Sequence, residues 1–226
     1  MEAVIRASFD DLWRHTRSAS RHQRWDLRFS EITHVDVDGD AVEPTVFRYA
    51  TRLVPGFVIS GTGVTAGDRR RDGAAVSALR FSSDHPLSPI RDGRGYWRYT
   101  PTPNGMVFAT GYDYTPGFGG RALDVLFRPA ITWATAWSFD RLRLWLETGA
   151  PPEQSLRRAQ REVALRVGVV SGVAAVTRFA PCTYAVALAC VFLPPGPRTP
   201  AARRCVRGIA RPRGRRPGRH DRQETS

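Results

Sequence analysis

Few side chains in this 226-residue chain are spaced for chemistry. His15, His22 and His34 lie in a polar helical and early-strand stretch, where a satisfied or solvent-facing imidazole is the ordinary reading. His85 follows Asp84 directly, and that pair alone sets an imidazole beside a carboxylate for acid–base work. Asp36, Asp38 and Asp40 imitate the start of a calcium loop. The glycine offset is wrong and no Glu occupies the twelfth position, so the Asp38-Gly39 pair reads as a hairpin turn. Cys182, Cys190 and Cys205 fit no zinc spacing. Gly61-Thr62-Gly63 lacks the third glycine of a dinucleotide loop, and Gly117 to Gly120 runs into Arg121, where a phosphate loop needs Lys and Ser or Thr. There is no Gly-x-Ser-x-Gly elbow. Nucleotide, metal and serine-nucleophile chemistry are therefore unsupported. No metal site and no cofactor are expected, and no catalytic residue is assigned.

Aromatic density is the more informative signal. Trp25, Phe29, Tyr49, Phe57, Phe81, Trp97, Tyr99, Phe108, Tyr112 and Tyr114 fall in strand-like runs, and Trp133 and Trp137 in a helical one. Rings with a polar handle suit a pocket that stacks an apolar ligand and hydrogen-bonds its substituents. The same rings also suit a filled core. Arg48, Arg80, Arg98 and Asp113 alternate with these aromatics, which favours the outer face of a sheet; the alternative is an inward Arg that binds a ligand carboxylate or phenolate or polarises a carbonyl. Arg141 lands on the apolar face of the helix, either snorkelling outward or reaching a pocket mouth.

The elements that must position these residues follow from periodicity. Ala3 to Ser8 reads as a short strand, and Ser8 or Asp10 caps a helix opening on Phe9. A second polar helix ends near Arg24, and Trp25 to Phe29 opens the next strand. Alternating runs then cover 46–53, 57–64, 76–82, 96–100 and 106–114, with Asp72-Gly73 and Asn104-Gly105 as turns. Gly61 and Gly63 mark a bend or a close approach. Successive hairpins argue for an antiparallel meander. From Gly120 to Thr148 the period becomes helical, with Leu123, Leu126, Phe127, Ala130, Ile131, Trp133, Ala134, Trp137, Leu142, Leu144 and Trp145 on one broad apolar face. Pro129 is expected to kink or split this helix.

The net charge of +13 is unevenly spread: 19 Arg face 17 acidic residues in 1–150, but 15 Arg face 4 in 151–226, and the chain has no Lys. The front part is close to neutral, so the basic isoelectric point is no sign of nucleic-acid binding. Residues 150–195 read as a helical, apolar extension, and 196–226 as an Arg/Pro-rich disordered tail. Residues 167–193 are apolar except for Arg178, which opposes a membrane span at about 2.5–3.5 kcal/mol. The alternatives are an interfacial anchor, a helical pair packed on the domain, or a poorly structured tail. An Arg-rich end would face anionic headgroups. RNA is disfavoured because aromatics do not interleave with the arginines. With no signal-peptide block, the front domain is expected in the cytoplasm, membrane-associated through 167–193 if at all.

Short strand, helix pair, six-strand meander and long terminal helix, in that order, resemble the START-like (SRPBCC, helix-grip) superfamily, which includes polyketide cyclase/dehydrase-like proteins. Ile5 to Trp13 resembles its opening strand and Trp-bearing helix, Trp25-Asp26 its second-strand start, and Trp137, Leu142 and Trp145 its closing helix. The resemblance covers about 1–148 and implies an α+β fold: a curved antiparallel sheet around a C-terminal helix, with a hollow for a lipid, polyketide or other apolar aromatic molecule. On that basis residues 1–149 are expected to be a ligand-binding domain. Trp25, Tyr49, Phe81, Trp97, Tyr99, Phe108, Tyr112, Trp133 and Trp137 are expected to line its pocket. Binding or delivery of a hydrophobic molecule is the favoured reading. A cyclase or dehydratase acting on an aromatic polyketide, or a membrane-tethered interaction module, are the alternatives, because fold alone does not choose among them.

Overall fold

The period-two alternation between residues 46 and 116 forms five long strands in the computed structural model, which describes residues 1–35, 45–54, 56–177 and 181–205. Seven strands make one antiparallel sheet: β1 (Glu2–Ile5), β2 (Glu31–Val35), β3 (Val46–Val54), β4 (Phe57–Arg71), β5 (Ala74–Ser82), β6 (Ile90–Thr102) and β7 (Gly105–Pro116). Their order is β1-β7-β6-β5-β4-β3-β2, a six-strand meander that β1 extends by pairing with β7. Breaks in register between Arg52 and Val54, Thr65 and Gly67, and Ile90 and Asp92 help the sheet to curl. This is the α+β helix-grip class expected from the sequence. The Asp36 to Asp40 turn lies outside the described residues.

Between β1 and β2 run α1 (Phe9–Arg17) and α2 (Ala19–Trp25). Ser8 is the cap of α1, its hydroxyl accepting from the Asp11 N–H at 3.1 Å. Trp25 ends α2, a position the sequence reading gave to a strand, and the strand itself begins at Glu31. The Trp25 indole is fully buried and donates to the His15 carbonyl, clamping the helix pair.

α3 (Gly120–Thr148) crosses the concave face as one helix, with Pro129 inside it. The expected break is absent because Pro129 lies in the exposed half, where the freed carbonyl of the preceding turn can meet water. The C-terminal half is buried from Thr135 to Leu142. Ala136, Trp137, Phe139 and Leu142 pack there with Ile5, Leu12, Trp25, Tyr99 and Phe108 into the main core. The N-terminal half is not: Val125 is 72 % and Leu126 70 % exposed.

Beyond Gly149, α4 (Pro152–Thr177) and α5 (Pro181–Phe192) form an antiparallel pair. Arg166 on α4 ties them, donating to the Cys190 and Leu193 carbonyls at 2.6 and 2.9 Å at the C-terminal end of α5. The expectation of disorder from residue 196 fails for 196–205. This strap packs on α3 and ends in a 3₁₀ turn (Ala202–Arg204), with Ala201, Ala202 and Cys205 buried. Its order rests on polar pairing, which composition does not report: Asp140 takes the Ala201 N–H and the Arg204 guanidinium, while Arg204 also caps the Thr199 and Gly196 carbonyls. Residues 206–226 lie outside the described part.

Candidate functional site

The register of the sheet decides which aromatics meet. Phe47 pairs with Gly63, Gly63 with Phe81, Phe81 with Gly93, and Gly93 with Tyr114. These residues share one face, and it is the face under α3, because the Tyr114 hydroxyl donates to Asp124 of that helix at 2.5 Å. The rings of Tyr49, Phe47 and Phe81 lie over Gly61, Gly63 and Gly93, so a Cβ at those glycines would collide with them. Glycine here lets aromatic rings lie flat on the neighbouring strand. The result is a broad apolar floor, half-buried at Phe47, Tyr49, Phe81 and Tyr112.

The grip therefore has two ends. At the packed end, Trp25, Trp97, Tyr99, Phe108 and Trp137 are buried in the core. Phe108 stacks on Phe139 at 4.6 Å, Tyr99 lies 5.1 Å from Phe108, and Trp97 lies 6.0 Å from Phe108. The Tyr99 hydroxyl pairs with Thr16 at 2.8 Å, and burial pushes its pKa well above the usual phenol range. These rings are held by one another. At the open end, Tyr49, Phe81 and Tyr112 stand on the floor beneath the exposed half of α3. Burial pushes Tyr49 up to about 12, so it is a neutral phenol, and its hydroxyl donates to the Ser82 carbonyl.

Trp133 does not line the sheet side. It is 48 % exposed, stacks on Trp137 at 6.1 Å, and with Ala159, Val163 and Val167 borders a shallow apolar groove of about 500 Å³ between α3 and α4. Trp137 borders the same groove, but Arg141 covers its ring and it is buried in the core cluster, whereas Trp133, one turn earlier on α3, stays half-exposed. Arg141 reaches neither solvent nor the floor. It is buried, donates to the Arg24 and Pro152 carbonyls, and lies over the Trp137 ring at 5.1 Å. His85 makes no acid–base pair with exposed Asp84; its Nδ1 accepts from the Leu87 N–H within its own loop. Arg48 and Arg80 are exposed on the convex face, and Arg98 lies over the Tyr96 ring.

One polar cluster beside the open end was missed by the sequence reading. Asp26 follows α2 with its carboxylate fully buried. It accepts Nε and Nη2 of Arg28 at 2.9 and 2.6 Å and pairs with Nε2 of His22 at 3.1 Å. Burial alone would raise the Asp26 carboxyl, but Arg28 and His22 overcome it and hold it well below the carboxylate range. Burial lowers His22, which is stacked on Trp25 and edged by Phe29 and Trp97. Arg28 itself lies over the Phe29 ring. The Asp-x-Arg spacing was a visible signal. The alternation rule assigned Trp25 to Phe29 to a strand and so placed Asp26 and Arg28 on one polar face.

No family model matches the chain. A Bacillus subtilis (strain 168) protein named uncharacterized membrane protein YndG is 45 % identical over 164 residues, covering 70 % of this chain and 60 % of that protein. The chain thus spans about three-fifths of the length of the curated relative it matches. Among solved structures, it is similar to the di-domain ARO/CYC StfQ from the steffimycin biosynthetic pathway (TM-score 0.49, 16 % identity, 65 % of this chain and 49 % of that one). It is also similar to human StAR-related lipid transfer protein 5 (TM-score 0.49, 14 % identity, 63 % and 73 %). The sheet order and the crossing helix define a START-like helix-grip fold in their own right.

Proposed function

We propose that the protein binds a hydrophobic small molecule between the open half of the sheet and the N-terminal half of α3. The observation that carries this reading is the asymmetry of the grip. One end buries its aromatics against each other. The other leaves Phe47, Tyr49, Phe81 and Tyr112 half-buried on a glycine-smoothed floor, and Phe127 and Ile131, on the Asp124 side of α3, are likewise only half-buried. An apolar ligand there would remove both surfaces from water at about 25 cal/mol per Å². A binder is favoured over an enzyme because the buried carboxylate nearest the cleft, Asp26, is fixed as an ionised partner of Arg28 and is poorly placed to exchange protons. The site residues in this reading are Tyr49, Phe81 and Tyr112, with Trp25, Trp97, Tyr99, Phe108 and Trp137 as the wall behind them.

The same reading places the protein against an anionic membrane surface. No helix among the described residues is long and apolar enough to cross a bilayer. Yet α4 and α5 expose Val167, Val169, Val176, Leu188, Val191 and Phe192, and the Bacillus relative is named a membrane protein. An interfacial helical pair carries such a surface without spanning. The cleft is tested with the neutral dye N-phenyl-1-naphthylamine, whose emission rises in apolar sites. Binding should weaken several-fold in Phe81→Ala. Dye bound equally by wild type and Phe81→Ala would place it on the exposed helices and refute the cleft.

A further inference from the structure

The geometry points to Arg28 as the residue that selects the ligand's polar end, so that the hydrophobic ligand of this cleft carries a carboxylate or similar oxyanion. This rests on the cleft reading above and adds a chemical class to it. Arg28 occupies the turn between α2 and β2, and this turn is pinned on both sides. Thr51 of β3 donates to the Arg28 carbonyl at 2.6 Å, and the Leu27 N–H donates to Ser138 of α3 at 2.8 Å. The guanidinium is bound side-on: Nε and Nη2 meet the two Asp26 oxygens, so Nη1 is the edge of the fork turned away from the carboxylate. Asp26 is in turn saturated, because Oδ1 also accepts the Arg28 N–H at 3.1 Å and Oδ2 pairs with His22. The side chain keeps 20 % of its exposure. Around it stand Phe29, whose ring is 5.3 Å from the guanidinium carbon, and then Tyr49, 5.5 Å from Phe29. On the floor Tyr112 is opposite Gly95, which leaves that place without a side chain.

A fixed cation with one unspent edge, set among half-buried rings, fits an amphiphile whose apolar body lies on the floor and whose anionic head meets Nη1. A hydrogen bond between charged partners, shielded from water, is worth roughly a 10- to 100-fold change in affinity. A structural role alone would require no preference for anionic over neutral ligands, because Asp26 already balances the charge.

The test uses full-length protein and two dyes with one ring skeleton. Neutral N-phenyl-1-naphthylamine reports the apolar floor, and 1-anilinonaphthalene-8-sulfonate adds an anionic group. In Arg28→Gln, verified as folded by circular dichroism, the sulfonate dye should bind roughly 10- to 100-fold more weakly, with the neutral dye unchanged. Equal loss of both, or loss of neither, would overturn the assignment. Arg28 also balances a buried carboxylate, so a second measurement needs no variant: decanoate and decanol compete for the neutral dye bound to wild type. Decanoate should displace it at a concentration about tenfold lower. Decanol is the more hydrophobic of the two, so equal or better displacement by decanol would overturn the proposal while leaving the cleft intact. Failure of the neutral dye to bind wild type at all would instead remove the cleft reading itself.

Discussion

The carboxylate of Asp140 on α3 accepts the backbone N–H of Ala201 at 2.8 Å, across a sequence separation of 61 residues. The other oxygen takes Arg143 Nε at 2.7 Å, and Arg204 shares the first at 2.9 Å. A fully buried carboxylate is thus paired from its own helix and from the strap at once. Cys205 follows, its thiol donating to the Ala136 carbonyl, with burial pushing its pKa up to about 12. The strap thereby joins the C-terminal end of α5 to the helix that closes the grip.

Removing Asp140 should therefore loosen a segment distant in sequence. Asp140→Ala is expected to destabilise the protein by about 3–5 kcal/mol, because two arginines lose a buried partner. Trypsin should cut faster after Arg203 and Arg204, which mass spectrometry of a digestion time course would reveal. Unchanged cleavage there would mean that the strap is held by its apolar contacts and not by this carboxylate.

Trp137 and Trp133 offer a sharper comparison, because they are the same residue type four positions apart. Trp137 is 8 % exposed and sits in the core, while Trp133 is half-exposed over the α4 groove. Trp137→Ala should cost about 3–5 kcal/mol in urea unfolding. Trp133→Ala should cost about 1 kcal/mol, since much of its surface never leaves water. Equal costs would show that the groove is packed as tightly as the core.

The fold was legible in the sequence because it depends on period. Alternation between 46 and 116 marked the strands of the meander, and the change of period at Gly120 marked α3 to the residue. The division of the nine candidate rings was not legible. Tyr49, Phe81 and Tyr112 differ from Trp97, Tyr99 and Phe108 only in their position along the strands, and that becomes meaningful once α3 is seen to pack by one end. Period likewise could not tell the buried Trp137 from the half-exposed Trp133, because the helix that both tryptophans border, α4, comes from beyond the domain boundary drawn at 149. Gly61 and Gly63 did signal a close approach, and the rings of Tyr49 and Phe47 are what approach. The Asp26–Arg28 pair was hidden for a different reason: a turn of α-helix carried Trp25 where a strand was read.

Membrane attachment through the helical pair is expected to depend on apolar contact as well as charge. The motivating observation is the exposure of Leu188, Val191 and Phe192 on α5. The protein should float with vesicles of mixed phosphatidylglycerol and phosphatidylcholine, and a double variant, Val191→Asp with Phe192→Asp, should remain in the aqueous fraction. Flotation of the variant equal to wild type, abolished by salt in both, would assign attachment to arginines alone.

Acid should weaken the fold through His22 before it does so through Asp26. Burial lowers the His22 pKa from its usual 6.5, so the folded protein holds this imidazole neutral while the unfolded chain protonates it. Below about pH 6.5 the unfolded state therefore binds the extra proton, and stability falls as pH falls, down to the lowered folded value. Asp26 behaves with the same sign in a lower window. Its carboxyl is held far below the usual 3.8, so the stability it brings is complete above that value and is lost on further acidification. Thermal melts should thus show a declining Tm from about pH 7.5 to about pH 5.5, where Asp26 does not yet titrate. In His22→Gln that decline should be shallower. It should not vanish, because burial also lowers His15, which lies edge-on to Trp145 at 4.5 Å. The comparison is of slopes, so any uniform loss of stability from removing the stacked ring does not disturb it. Parallel slopes for wild type and His22→Gln over this range would refute a neutral, buried His22. The polar cluster behind Arg28 would then have to be redrawn with an imidazolium on Asp26.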